Sequence, residues 1–212
     1  MLRVVVAASG TGSNFTAIAD AVQKGNFPVE IAGLLCNVPG APVIAEAERR
    51  GIPVRVLPSR GLSAPDERAA YDRRLGDAVD ELKGEIIVLA GYMRILCPEF
   101  IRRFPLRILN IHPSLLPAFP GLGVHEAVLQ HGCKVTGCTV HYVDEGLDSG
   151  PIIAQACVAV HSDDTPDVLA ARVRGLEHKV YPWVIEQIAL GRVSVAGRRV
   201  HVDGPSPDFH SL

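Results

Sequence analysis

"RVVVAASGTGSNFTAIADAVQK", residues 3–24, decides the fold. Arg3 to Ser9 is a near-continuous apolar run built on three consecutive valines, the pattern of a strand buried on both faces. Gly10 and Gly12 then break the run, and residues 13–24 fit a helix. The same alternation continues downstream. Strands are expected at 29–36, 53–57, 85–91 and 107–112, and helices at 41–50, 65–82 and 97–103. Val/Ile/Leu-rich strands separated by helices predict an α/β fold with a doubly wound, mostly parallel sheet. In such a sheet ligands gather at the carboxyl ends of the strands.

The second half changes character. "KVTGCTVHYV" (134–143) and "PIIAQACVAV" (151–160) are longer strands joined by "DEGLDSG", an antiparallel pair. A long helix is expected from Thr165, an N-cap residue followed by Pro166, to Leu190. "RVSVAGRRVHV" reads as a small hairpin turning at Ala196-Gly197, and residues 203–212 as a loose tail. Without an internal repeat or a long linker, residues 1–212 read as a single domain, in halves of 1–105 and 106–195.

Composition excludes several classes. With 48% hydrophobic and 21% charged residues and a formal net charge of -2, the chain advertises neither a nucleic-acid-binding face nor disorder. No apolar run approaches the roughly 20 residues of a transmembrane helix, and "MLRVVVAASG" reads as a first strand rather than a signal peptide. The five cysteines follow no C-x-x-C spacing, which fits reduced thiols in a cytoplasmic protein. The eight histidines show no ligand spacing, so no metal is expected.

Three places could carry chemistry. "ASGTGSN" sets Gly10, Gly12, Ser13 and Asn14 between the first strand and the first helix, where free backbone N–H groups attract an anion. A dinucleotide site would want a third glycine where Phe15 stands, and an acidic residue where the second strand ends on Cys36-Asn37. A single phosphate suits the turn better. Next, "LNIHPSLLP" (109–117) ends a strand on Asn110 and His112, two residues apart and so on one face. Pro113 holds His112 extended. An amide and an imidazolium there could grip a carbonyl oxygen as it becomes an oxyanion. Such a histidine needs an acid, and "DEGLDSGPII" offers Asp144, Glu145 and Asp148; spacing does not choose among them.

Taken together, "SGTGSN", "LAGYMRIL", "NIHPSLLPAFPG", "GCTVHYVDEGLDSGPII" and "RVRGLEHKVYP", in this order, resemble the folate-dependent phosphoribosylglycinamide formyltransferases from about residue 3 to 195. The resemblance implies a Rossmann-like formyltransferase fold, with a nucleotide-phosphate half followed by a catalytic and folate half. It implies formyl transfer from 10-formyltetrahydrofolate, as co-substrate, to the amine of glycinamide ribonucleotide in purine synthesis. It implies a catalytic trio of Asn110, His112 and Asp148, with Asp148 keeping His112 protonated and oriented. It places the nucleotide phosphate on Gly12, Ser13 and Asn14, in a pocket completed by Arg174, Gly175, Leu176 and Glu177. It places the folate at Arg68, Met93, Arg94, Ile95 and Leu96, at Asn110, and along the loop Asp144, Glu145, Gly146, Leu147 and Asp148. The expected partners are small molecules, without nucleic acid or membrane, and a homodimer is compatible with the pattern. Gly123 and Val124 depart from more polar residues in some bacterial relatives.

Three rivals bear comparison. A formyltetrahydrofolate deformylase would use the same trio to hand the formyl group to water, usually with an extra N-terminal domain. A methionyl-tRNA formyltransferase would need a basic C-terminal domain. A non-catalytic nucleotide-binding sensor would need only the glycine turn and would have no use for the trio.

Overall fold

The computed structural model of the chain describes residues 1–25, 28–204, 207 and 209. Residues 205, 206, 208 and 210–212 of the expected tail lie outside the described residues. The chain divides into two compact units, Met1–Asn110 and Ile111–Leu212.

In the first unit, β1 (Leu2–Ala8) pairs parallel with β2 (Val29–Cys36) on one side and with β4 (Ile86–Leu89) on the other. β3 (Val54–Val56) pairs parallel with β2, and β5 (Ile108–His112) with β4, giving the order β3-β2-β1-β4-β5. Val4, Val5 and Val6 are fully buried, each worth about 1.5–3 kcal/mol over an exposed side chain. That double-sided burial explains the unbroken valine run at the N-terminus. α1 (Ser13–Lys24) buries Phe15, Ile18 and Ala19, the i, i+3, i+4 stripe of an amphipathic helix. α2 (Pro42–Arg49), α3 (Pro65–Glu81) and α4 (Pro98–Arg103) each open on a proline, which loses nothing by lacking an N–H there. Between β1 and β4 the strand order reverses, and the loops after these two strands flank the crevice where such sheets take ligands.

The second unit holds α5 (Val124–Gln130), the antiparallel pair β6 (Val135–Tyr142) and β7 (Ile152–Ala159), and α6 (Pro166–Ala189). α6 packs on β6 and β7 through Leu169, Val173, Val180, Val184 and Ile185. Thr165 caps α6, its hydroxyl accepting the Val168 N–H at 3.3 Å. Phe209 sets its ring against Trp183 of that helix. With five parallel strands in the first unit and an antiparallel pair in the second, the architecture is the expected mostly parallel α/β one.

Two expectations need correction. α5 was not anticipated: it lies between the polar strand end and β6, where no helix was expected. The C-terminal hairpin, β8 (Val193–Ala196) with β9 (Arg199–Val202), turns at Gly197-Arg198 rather than at Ala196-Gly197. Ala196 is still in register with Arg199, and Gly197, at φ 60°, supplies the left-handed conformation that the turn needs.

Among the described residues no helix is long and apolar enough to cross a membrane. All five cysteines are free.

Candidate active site

The glycine turn sits where β1 hands over to α1. Gly12 is the N-cap residue at φ 79°, ψ 26°, and has no side chain with which to cap the helix. The first turn thus carries no side-chain cap, an arrangement that suits an anion at a helix N-terminus. A Cβ on Gly12 would stand 2.4 Å from Cγ2 of Val43, so the position demands glycine twice over, by conformation and by space. Phe15 is fully buried, which explains why no third glycine stands there: that position serves the core.

The loop after β4 lies on the other side of the strand reversal. It runs from Ala90 to Cys97 and holds Met93, Arg94, Ile95 and Leu96. Met93 and Ile95 are 72% and 68% exposed, whereas Leu96 is buried. The two loops are tied together: Met93 N–H donates to Ser9 Oγ at 2.9 Å, and the Ser9 hydroxyl donates to Oδ1 of Asn37 at 2.5 Å. Arg68, on α3, lies close enough to Cys97 to lower its thiol pKa, although burial of Cys97 wins and raises it overall. The structure thus brings Arg68 and the Met93–Leu96 segment into one neighbourhood of the first unit. Asn110 is the last β5 residue paired with β4, opposite Leu89.

In the second unit His112 is 5% exposed, with both ring nitrogens opposite oxygens. Nε2 is 2.8 Å from the Phe119 carbonyl, and Nδ1 is 3.3 Å from Oδ2 of Asp148. Of the three carboxylates offered by the 144–148 loop, Asp148 is the one placed beside His112. Its Oδ2 also accepts the Gly121 N–H at 2.9 Å. Asp144 is occupied otherwise: its Oδ1 accepts Gly146 N–H at 3.1 Å and the Ser149 hydroxyl at 2.6 Å, shaping the loop. Glu145, Gly146 and Leu147 are exposed. Asp148 itself adopts φ 48°, a left-handed conformation an L-residue rarely takes, which turns its carboxylate toward the imidazole.

The "PSLLP" segment is fixed from β6 and β7. Thr139 Oγ1 donates to the Ser114 carbonyl at 2.6 Å and accepts Leu116 N–H at 3.0 Å. Gln155 Nε2 donates to the Leu116 carbonyl at 2.9 Å, and Ser114 Oγ to the Ala118 carbonyl at 2.6 Å. The Leu116–Pro117 peptide is cis. The hydrogen bonds hold residues 114–118, the segment that leads to the Phe119 carbonyl facing His112.

Three histidines join this neighbourhood without having been singled out in the sequence. His141, 2% exposed, holds Nδ1 2.8 Å from the Tyr142 carbonyl and Nε2 3.8 Å from Oδ1 of Asp148. Burial lowers its pKa, against the Tyr142 carbonyl and the Asp148 charge, which both raise it. His125, on α5, and His178, on α6, also have pKa values lowered first by burial and further by Arg174. Arg174 therefore lies near both. Leu176 and Glu177 are buried, and Arg174 and Gly175 exposed. Cys138 has its thiol pushed up to about 12 by burial, with the Glu177 charge adding to it. A signal existed for His141: it shares a face of β6 with Thr139, an unusual polar pair inside a buried strand. Nothing in the sequence marked His125 or His178. Among the described residues no group of three or more His, Cys, Asp or Glu is placed to hold a metal ion.

A family described as formyl transferase matches residues 2–185. The phosphoribosylglycinamide formyltransferase of Escherichia coli is 40% identical over 203 residues, covering 96% of this chain and 94% of that protein. The bovine trifunctional purine biosynthetic protein adenosine-3 is 41% identical over 191 residues, 90% of this chain, which spans about a fifth (19%) of that longer protein. Among solved structures, glycinamide ribonucleotide transformylase 1 from Symbiobacterium toebii superposes with a TM-score of 0.90 at 40% identity, covering 95% of this chain and 94% of that one.

Proposed function

The chain belongs to the formyl transferase family, and from that membership we propose that it moves the formyl group of 10-formyltetrahydrofolate onto the primary amine of glycinamide ribonucleotide, a step of purine synthesis. The observation that carries the catalytic side is His112, set between the Phe119 carbonyl and the Asp148 carboxylate. With a carbonyl at one nitrogen and a carboxylate at the other, the ring is held where an N–H can be offered to a substrate oxygen. Asp148 opposite Nδ1 fixes the ring plane.

The chemistry then follows from these side chains. The substrate amine attacks the formyl carbon directly, and the carbonyl oxygen gains negative charge. His112 donates to that oxygen through Nε2, which requires the 113–121 loop to yield the place of the Phe119 carbonyl. Asn110, two residues back on β5, adds its amide N–H from the same strand face. As the intermediate collapses, His112 supplies the proton for the leaving folate nitrogen, directly or through water. No protein nucleophile is needed, and burial keeps the thiols of Cys36, Cys97 and Cys138 protonated and unreactive. The amides of Gly12, Ser13 and Asn14 take the nucleotide phosphate, and Arg174 to Glu177 its remainder. Arg68, Met93 to Leu96 and the 144–148 loop take the folate. Five free thiols suit a reducing cytoplasm.

The deciding experiment incubates the protein with 10-formyltetrahydrofolate and glycinamide ribonucleotide and follows both products. Formylated ribonucleotide supports the proposal. Release of formate without transfer assigns the site to hydrolysis and overturns it.

A further inference from the structure

Asp72 is a carboxylate with little reason to be where it is. It sits on α3 at 2% exposure, and burying a charge is costly unless it is paired and hydrogen-bonded. Its Oδ2 accepts the backbone N–H of Cys97 at 2.6 Å, and its Oδ1 lies 3.7 Å from Nη2 of Arg94. Arg94 is itself held: its guanidinium lies over the Tyr71 ring, 4.3 Å from the centroid, with its side chain 10% exposed. The Tyr71 hydroxyl donates to the Leu57 carbonyl at 2.8 Å and so takes the hydroxyl proton of Tyr92 at 3.0 Å. The loop after β4 is therefore gripped in its middle, at Met93 by Ser9, and at its last residue, Cys97, by Asp72. Met93, at one grip, and Ile95, between the two, hold apolar side chains out to solvent, beside the strand reversal.

We propose that Asp72 and Ser9 are positioning residues that clamp this loop at Met93 and Cys97 and preform the segment between them as the ledge for the folate ring. The inference rests on the proposal above that the folate binds at Met93 to Leu96. An unclamped loop would turn Met93 and Ile95 inward or sample many conformations, and binding would then carry the cost of ordering it. Clamped, it offers apolar edges and backbone polar groups in one fixed arrangement, the make-up of a site for a flat heterocycle. Asp72, at 2% exposure, reaches the loop only through Cys97 and Arg94, and Ser9 through Met93, so both act through the loop.

Steady-state kinetics of the full chain test this. Asp72→Asn keeps the shape but removes the charge that pairs with Arg94 and weakens the bond to Cys97. It should raise the KM for 10-formyltetrahydrofolate about 10-fold, the scale of one lost charge-assisted hydrogen bond, and leave the KM for glycinamide ribonucleotide within about twofold. Ser9→Ala, which frees the loop at Met93, carries the same expectation and serves if Asp72→Asn does not fold. Amide exchange provides the second readout: a folate analogue should protect residues 93–96 of the unaltered protein, and less so in either variant. An unchanged folate KM, or equal rises in both KM values, reduces the clamp to general stability and overturns the proposal. If the unaltered protein shows no protection at 93–96, the folate placement itself fails and the clamp proposal falls with it.

Discussion

His112 and Asp148 show how much a single contact can specify. Oδ2 of Asp148 accepts Gly121 N–H at 2.9 Å and stands 3.3 Å from His112 Nδ1, so one oxygen ties the 144–148 loop to both the imidazole and the 113–121 loop. Asp148→Asn keeps an oxygen for Gly121 but removes the charge opposite the ring. Turnover should fall about 10²- to 10³-fold with both KM values nearly unchanged, because the lost stabilisation acts on the oxyanion and not on ground-state binding. Wild-type turnover in that variant would move the role elsewhere. At the turn proposed to hold the phosphate, Gly12→Val forces a β-branched residue to φ 79° and drives its Cβ to 2.4 Å from Val43 Cγ2. The KM for glycinamide ribonucleotide should rise far more than that for the folate, and equal rises would make the turn merely structural. At this scale the sequence singles out a residue where alternation or a chain turn points it: Asn110, His112 and the glycine pair are marked in that way. The choice among Asp144, Glu145 and Asp148 was not legible, because it depends on the left-handed backbone of Asp148, which no spacing rule contains.

The elements were legible in proportion to their burial. β1, β2 and α6 emerged within a residue or two of their limits, because each buries a long apolar pattern that only one period fits. α5 was missed because its seven residues are too few for periodicity to stand out, and its N-cap, Gly123 at φ 69°, reads as a turn residue. The hairpin of β8 and β9 was found but shifted by one, since Ala196 and Gly197 look equally like turn residues until the register with Arg199 is known. α6 allows a direct measurement of what such a signal is worth. Thr165→Ala removes the oxygen that accepts Val168 N–H, and should lower unfolding free energy by about 1 kcal/mol, visible in the urea midpoint with an unchanged m-value. A shift below a few tenths would mean that the 3.3 Å bond is too long to matter, and that Pro166 alone starts the helix.

Across the whole molecule, acid should act on one unit first. All eight histidines follow residue 110, so none belongs to Met1–Asn110. Three of them, His125, His141 and His178, have pKa values lowered chiefly by burial. As pH falls below the ordinary value of 6.5, the unfolded chain takes up protons on these rings while the folded chain does not. Their contribution to stability is therefore complete above about pH 6.5 and declines as pH drops toward their folded values, below which it changes no further. A separate loss comes later. The Arg172 guanidinium, bonded to both carboxylate oxygens of Asp164, holds that group down to about 2. Its contribution is present above the ordinary 3.8 and fades as pH falls toward about 2. Amide exchange between pH 7.5 and 5 should accordingly show protection falling within residues 111–204 before it falls within 1–110, and His178→Gln should flatten that dependence. Simultaneous loss in both units, or a first loss in residues 1–110, would show that the buried imidazoles do not govern the acid limb.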